Sequence, residues 1–318
     1  MKLKLYRVLF ESLSITRSSL SRFSESAPNK YKVYTIPKRT SGQRVIAHPS
    51  KKLKIVQKSL VRILTPIFIS HDSAYAYKKK LSIKDNALPH VNSKYLLKMD
   101  FTDFFNSITP NMLFLVCDRN EIRWSEAEKR LLENLLFWNK TKSHKRKLVL
   151  SVGAPSSPLV SNYVMCEFDS QISKFCEINK INFSRYADDI TFSTNKKNAL
   201  FEIPALVKKI LKELYGGIIL INKLKTRYSS KAHNRHVTGI TLSNENKLSI
   251  GRDRKRLISS LIHKFNIGIL SENDGCYLQG LLAFSIGIEP EFIDRMKRKY
   301  STETVNAVLN IRANDDKQ

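Results

Sequence analysis

Tyr186-Ala187-Asp188-Asp189 lies between two short runs of β character, residues 181–185 and 190–194. A fold that pairs those runs must hold two carboxylates at the tip of a hairpin. A third carboxylate, Asp100, ends an apolar run of strand character, Tyr95-Leu96-Leu97-Lys98-Met99. Three carboxylates on a sheet suit a pair of Mg²⁺ ions that transfer a nucleotidyl group. Two adjacent aspartates alone say little, since Asp315-Asp316 repeats the pair in polar tail sequence. The setting gives the internal pair its weight: a tyrosine before it, β-branched and aromatic residues after it, and an acidic strand end upstream.

The charge balance points the same way. Lys and Arg number 55 against 28 Asp and Glu, a formal charge of +27. A surface that basic repels itself unless it meets a polyanion, so nucleic acid is the leading partner. With 318 residues, 42% of them hydrophobic, the chain can bury a large core as one elaborate domain or several subdomains. None of Cys117, Cys166, Cys176 and Cys276 sits in a Cys-x-x-Cys pair, so buried free thiols in a reducing compartment are expected. His233 and His236 have zinc-like spacing without a cysteine nearby, and no zinc site is expected there. The first residues break their apolar positions with charge, which reads as an amphipathic helix and not a secretory segment. No run approaches the roughly 18 apolar residues of a membrane span, so a cytoplasmic protein without a membrane partner is expected.

Periodicity and punctuation predict an α+β chain with an all-helical tail. A helix is expected over 1–22, a loop over 24–29, and strands over 31–36 and 44–48. Thr40-Ser41-Gly42 would join those strands into a hairpin carrying Lys38, Arg39 and Arg44. Leu53, Val56, Leu60 and Leu64 define one face of a helix over 50–68. Residues 70–93 read as polar and basic. Thr109-Pro110 opens a helix, and the capping box of Ser125 and Glu128 opens another through 138. Residues 140–147 read as a basic loop. Pro158 suits the first turn of a helix carrying Leu159, Tyr163, Cys166, Ile172 and Phe175. A helix over 198–215, with Pro204 as an alternative start, would stop at Gly216-Gly217. A short strand over 218–221 follows, then a hairpin of strands 236–242 and 247–250. From Arg252 onward about three helices are expected, with 315–318 disordered.

In chain order these segments resemble a reverse transcriptase, from about residue 31 to 251. Tyr186-Ala187-Asp188-Asp189 matches the family's Tyr-x-Asp-Asp box, and Asp100-Phe101-Thr102-Asp103-Phe104-Phe105 its first acidic box. Gly153-Ala154-Pro155-Ser156-Ser157-Pro158 with Asn162 matches its Gly-x-x-x-Ser-Pro-x-x-x-Asn box. Asn222-Lys223-Leu224-Lys225-Thr226 resembles its Asn-x-x-Lys-Thr segment. Two further motifs resemble those of the retron branch: Asn86-Ala87-Leu88-Pro89-His90 and Val237-Thr238-Gly239. The resemblance implies a right-hand polymerase with fingers, a palm of antiparallel sheet plus helices, and an all-helical thumb. It divides the chain into an N-terminal helical extension (1–30), fingers and palm (31–250), and thumb with RNA-binding tail (251–318).

The resemblance also implies roles. Asp100, Asp188 and Asp189 would be catalytic, and Asp100, Phe101, Asp188 and Asp189 would hold two Mg²⁺ ions. Phe105 would be the aromatic steric gate against a ribose 2′-OH. Asn86, His90, Val237, Thr238 and Gly239 would recognise RNA, as would Arg252, Arg254 and Lys255 at the start of the thumb. Physical chemistry adds detail. Successive strand residues face opposite ways, so Asp188 and Asp189 cannot both point inward by regular β geometry. Asp189 would then bind one ion only, or bind through the twisted turn. Asp103 reads as a local hydrogen-bonding acid. Arg39 and Arg44 on a hairpin suit triphosphate capture by bidentate contact. Lys225 would hold the triphosphate or protonate the leaving pyrophosphate. Lys223, Lys225, Arg227, Lys231 and Arg235 would supply phosphate contacts. One departure stands out: Val152 occupies the position where many family members carry Gln.

The implied activity is RNA-directed DNA synthesis from dNTPs, with one structured noncoding RNA as primer and template and a branched RNA–DNA product. The implied setting is anti-phage defence with an effector protein. Two alternatives stay open at this point: another bacterial reverse transcriptase of group II intron or abortive-infection type, and a catalytically silent RNA-binding scaffold.

Overall fold

The structure is a computed structural model that describes residues 5–38, 42–141 and 146–311. The chain opens with two helices where one was expected, α1 (Leu5–Leu13) and α2 (Arg17–Ser26). Ser14, at φ 52°, breaks the path, and Thr16 caps α2 by accepting the Ser19 N–H. A residue in the left-handed region cannot continue a helix. Helix α2 and a 3₁₀ turn, Ala27–Asn29, fill the expected loop. Strands β1 (Tyr31–Pro37) and β2 (Gln43–Pro49) pair antiparallel, from Tyr31↔Pro49 to Pro37↔Gln43. Ser50 accepts the Leu53 N–H and starts α3 (Lys51–Leu64), which buries the expected stripe.

The stretch read as irregular carries a short helix, α4 (Ile83–Ala87), locked by a capping box of Ser82 and Asp85, then a 3₁₀ turn, Leu88–His90. Strand β3 (Tyr95–Thr102) runs past Asp100 instead of ending there. Helix α5 (Phe104–Ser107) follows, then α6 (Pro110–Arg119), capped by Thr109. Helix α7 (Glu126–Leu136) has the expected capping box but stops short of Trp138. Trp138 pairs instead in a two-residue ladder of β4 (Trp138–Asn139) with β5 (Leu148–Val149). The helix expected after Pro158 is two, α8 (Ser157–Val164) and α9 (Cys166–Asn179).

Strands β6 (Asn182–Tyr186) and β7 (Asp189–Thr194) form the hairpin that carries the acidic pair. Helix α10 (Ile203–Tyr215) starts with Pro204 in its first turn and ends on Gly216 at φ 63°. Two short strands follow, β8 (Leu220–Ile221) and β9 (Arg227–Ser230). The single strand expected over 236–242 is folded in two. Strands β10 (Arg235–Val237) and β11 (Ile240–Leu242) pair across Thr238-Gly239, and β12 (Leu248–Ser249) joins β11. Thr238 at φ 47° and Gly239 at φ 82° give that turn the two positive φ values a tight hairpin needs. Four helices follow among the described residues, one more than expected: α11 (Arg252–Asn266), α12 (Glu272–Ile288), α13 (Pro290–Tyr300) and α14 (Thr302–Leu309). Residues 315–318, expected to be disordered, lie outside the described residues.

The architecture is α+β, in two compact units. One comprises Met1–Lys79, Lys98–Ile190 and Phe201–Arg227; the other comprises Lys80–Leu97, Thr191–Leu200 and Tyr228–Gln318. The main sheet has the order β6-β7-β3-β8, with β9 also on β3, and β3 runs antiparallel to β8. In the first unit Phe101 meets Phe168 edge-on at 5.8 Å, and Phe68 stacks on Tyr163 at 4.3 Å. In the second, Ala87, Leu96, Val237 and Ile240 join the helices through Ile258, Leu278, Phe292 and Val305. Each fully buried Leu, Ile, Val or Phe among them contributes about 1.5–3 kcal/mol. Cys117 and Cys176 are buried as expected, whereas Cys276 is exposed. Among the described residues no helix is long and apolar enough to cross a membrane.

Candidate active site on the sheet

The β6–β7 turn contains Ala187 at φ 57°. A non-glycine residue there is strained, so its surroundings must hold it. Arg185 does much of that, and both it and Asp169 on α9 are fully buried. Its Nε and Nη2 donate to the two Asp169 carboxylate oxygens at 2.8 and 2.6 Å. Its Nη1 donates to Asn162 Oδ1 at 3.0 Å and to the Ala187 carbonyl at 3.2 Å. The planar guanidinium thus clamps the turn to α8 and α9 with bidentate geometry. The segment before α4 is tied in as well. Tyr75 N–H donates to the Arg185 carbonyl at 2.9 Å, and Asn162 Nδ2 donates to the Ala76 carbonyl at 2.9 Å. Sequence reading found Asn162 through its motif. It missed Arg185 and Asp169, which sit on different elements with no periodic spacing between them.

The turn rests against β3. Phe101 N–H donates to the Asp188 carbonyl at 3.1 Å, and Asn222 N–H donates to the Asp100 carbonyl at 2.7 Å. Asp188 lies in the turn and Asp189 begins β7, so strict strand alternation does not separate them. Burial, then the Asp100 charge, holds the Asp188 carboxyl above the usual carboxylate range. Asp189 is pushed up to about 6 by crowding from protein atoms and then by the like charges of Asp188 and Asp100; Lys98 and Lys225 oppose the rise. The Asp189 residue is nonetheless open to solvent, so the like charges are the firmer cause. Lys225 Nζ donates to Asp100 Oδ2 at 2.9 Å. The Phe101 ring is buried against Phe104 and Phe168, so only its main-chain carbonyl could serve an ion.

Among the described residues no three His, Cys, Asp or Glu side chains are gathered tightly enough to hold an ion unaided. The donor chemistry still fits Mg²⁺, which takes hard oxygens and is commonly held by one or two carboxylates plus substrate phosphates. Lys225 beside Asp100, with Lys98 near Asp189 and Arg44 near Asp188, only partly offsets the mutual repulsion of the three carboxylates.

The other expected site residues are distributed unevenly. Phe105 is half-buried, with its ring 6.4 Å from Tyr77, while Phe101 and Phe104 go to the core. Arg44 is exposed on β2 and close enough to act on Asp188 and on Tyr77. Arg39 lies outside the described residues. Asp103 accepts from Asn106 and from Lys140, each at 2.9 Å, which is local pairing. At Val152 the carbonyl accepts the Ala47 N–H at 3.0 Å, so this position anchors β2 through its backbone. Gly153 at φ 123° has the Ala47 carbonyl 3.2 Å from where a Cβ would stand, a fit that favours glycine.

In the second unit the residues expected at RNA turn largely inward. Asn86 is buried and donates to Thr238 Oγ1 at 3.3 Å, which in turn donates to the Ile83 carbonyl. His90 is fully buried, 2.8 Å from Ser193 Oγ, and burial pushes its imidazole down to about 3. Val237 belongs to the core; Thr238 is half-buried and only Gly239 is exposed. Arg235 is corrected outright as a phosphate contact: it is buried and donates to the Ser93, Leu242 and Ser243 carbonyls. At the start of α11, Lys255 pairs with Glu289 at 2.6 Å, and Arg254 donates to the Ile250 and Gly239 carbonyls over the Phe284 ring. Arg252 remains exposed.

The sheet carries Asp100 on β3 beside the Asp188-Asp189 turn, with Lys225 bonded to Asp100. Residues 36–242 match the model for reverse transcriptase (RNA-dependent DNA polymerase). The chain therefore belongs to the reverse transcriptase family and has that family's right-hand polymerase fold. Its relatives narrow the class to the retron type. It is 51% identical to Retron Ec83 reverse transcriptase of Escherichia coli over 278 residues, covering 87% of this chain and 89% of that one. It is 34% identical to Retron Ec73 reverse transcriptase of Escherichia coli over 313 residues, covering 95% and 96%. The protein is an RNA-directed DNA polymerase of a retron.

Proposed function

We propose that the enzyme joins deoxynucleotides by a two-metal reaction centred on Asp100 and Asp188, with Asp189 as a further ligand. The carrying observation is the Phe101 N–H to Asp188 carbonyl bond of 3.1 Å, which fixes the acidic turn beside Asp100. Bound Mg²⁺ would orient the phosphates and offset charge developing on the attacking and leaving oxygens. Asp100, Asp188 and the Phe101 carbonyl would hold it. Lys225, now on Asp100 at 2.9 Å, would be released to contact the triphosphate. Arg44 would take phosphate oxygens, and Phe105 would fill the space beside the sugar 2′ carbon.

The template is a cognate structured noncoding RNA that also serves as primer, and the product is single-stranded DNA branched from that RNA. Effector proteins and a role in anti-phage defence complete the proposal. Asn86 and Val237, being inward-facing, would support RNA recognition by shaping the Thr238-Gly239 turn, and buried His90 by holding Ser193. Exposed Arg252 would meet phosphate directly, whereas Arg254 and Lys255 would do so only by leaving their internal partners. The family's thumb would track the duplex. The test is Asp188→Asn in cells carrying the native RNA. Branched DNA should disappear while the RNA still copurifies with the protein; persistent branched DNA rejects the catalytic assignment.

A further inference from the structure

One side chain beside the proposed site serves neither the core nor the acids. Tyr77 leaves 56% of its surface open, in a residue type whose ring is normally packed. Its backbone lies at φ 65°, a region that bulky residues avoid and glycine enters freely. Yet the segment is held on both sides. Tyr75 N–H is bonded to the Arg185 carbonyl, and the Ala76 carbonyl accepts Asn162 Nδ2, each at 2.9 Å. Beyond it, Lys78 Nζ donates to the His71 carbonyl at 2.8 Å. These anchors fix the backbone and leave the ring outside. The ring centroid stands 6.4 Å from that of Phe105, with the planes at 54°. Asp188, Tyr186 and Arg44 are all near enough to act on its hydroxyl.

A strained, exposed and firmly held aromatic is best explained by a ligand. Its neighbours say which one. Arg44 and Asp188 are the groups assigned above to the triphosphate and the metal, and Phe105 is assigned to the sugar. A ring among all three lies at the incoming nucleotide, not farther along the duplex. We propose that Tyr77 is a nucleotide-contacting residue whose ring packs against the base of the incoming deoxynucleoside triphosphate while Phe105 abuts its sugar. Every base offers a π-face, so such a contact adds affinity without choosing the base. The proposal rests on the reading of Asp188 and Phe105 given above.

The test is single-nucleotide incorporation by the full chain on a preformed primer–template, with Tyr77→Ala, Tyr77→Gly and Tyr77→Phe. Loss of one aromatic stack corresponds to about 1–3 kcal/mol, or about five- to 140-fold. Tyr77→Ala and Tyr77→Gly should raise the KM for each of the four dNTPs by a factor in that range, with primer–template affinity unchanged. Tyr77→Phe keeps the ring and should restore the wild-type KM. Glycine suits φ 65°, so a defect in Tyr77→Gly belongs to the missing ring and not to a displaced backbone. A wild-type KM in Tyr77→Gly overturns the proposal. So does weakened primer–template binding with the dNTP KM unchanged, which would move the ring to the template strand. Asp188→Asn run in parallel separates the two readings: incorporation surviving there defeats the catalytic assignment whatever Tyr77 does.

Discussion

Replacing Asp169 with Leu should unfold the palm more readily than any surface change, and the reason is the charge it leaves behind. Arg185 and Asp169 are both fully buried and share two short hydrogen bonds, 2.8 and 2.6 Å. Without Asp169 the guanidinium keeps only Asn162 Oδ1 and the Ala187 carbonyl, at 3.0 and 3.2 Å, and its charge has no counter-ion. Breaking a buried pair from one side costs about 3–5 kcal/mol. For a unit of this size each kcal/mol lowers the melting temperature by about 2–4 °C, so a fall of about 6–20 °C is expected. Because the chain has two compact units, one melting curve can mix two transitions. Hydrogen exchange at the amides of β6 reports the palm directly.

The double variant Asp169→Leu/Arg185→Met separates stability from positioning. Apolar replacement of a whole buried pair is often neutral or stabilising, so most of the lost stability should return. DNA synthesis should stay reduced, because the Ala187 carbonyl and Asn162 Oδ1 then lose the donor that ties the turn to α8, and only the backbone bonds through Phe101 and Tyr75 still hold the turn. Both variants are assayed by primer extension at a temperature where each is folded. If Asp169→Leu costs less than about 1 kcal/mol, the guanidinium has found water and the pair is not the anchor described. If the double variant polymerises like the wild type, the acidic turn stands without the clamp.

Acid should inhibit DNA synthesis through the carboxylates. Asp189, raised to about 6, takes up its proton as pH falls through that value, and a protonated acid is a poor Mg²⁺ ligand. Rates should therefore fall below about pH 6, with the midpoint moving to lower pH as Mg²⁺ is raised; a midpoint indifferent to Mg²⁺ contradicts the ligand role. His90 predicts acid sensitivity in the second unit. Its folded pKa is depressed to about 3, so the neutral ring contributes stability that is full above its unfolded value and lost as pH falls. At pH 5 the loss should be about 2 kcal/mol, and denaturant titrations of His90→Gln should lack that dependence.

What could be read in advance, and what could not, divides by the range of the interaction. Ser50, Thr109 with Pro110, Ser125 with Glu128, Pro204 and Gly216 mark helix ends where expected, because each acts within one turn of itself. Ser14 and Thr238 carry left-handed backbone that their residue types do not announce, so one helix became two and one strand became a hairpin. Polar burial is harder still. Asn86 and His90 were visible as a motif but not as a location, since their partners Thr238 and Ser193 lie 152 and 103 residues away. A lone asparagine or histidine reads as surface until such a partner satisfies it, because an unpaired buried polar group costs more than exposure. Tyr77 is the converse case. Composition assigns an aromatic to the core, and only the bonds to Arg185 and Asn162 that pin its neighbours show that this ring is held outside. Asn86, His90 and Tyr77 all depend on anchors from other elements, so a reading confined to neighbouring residues misplaces them.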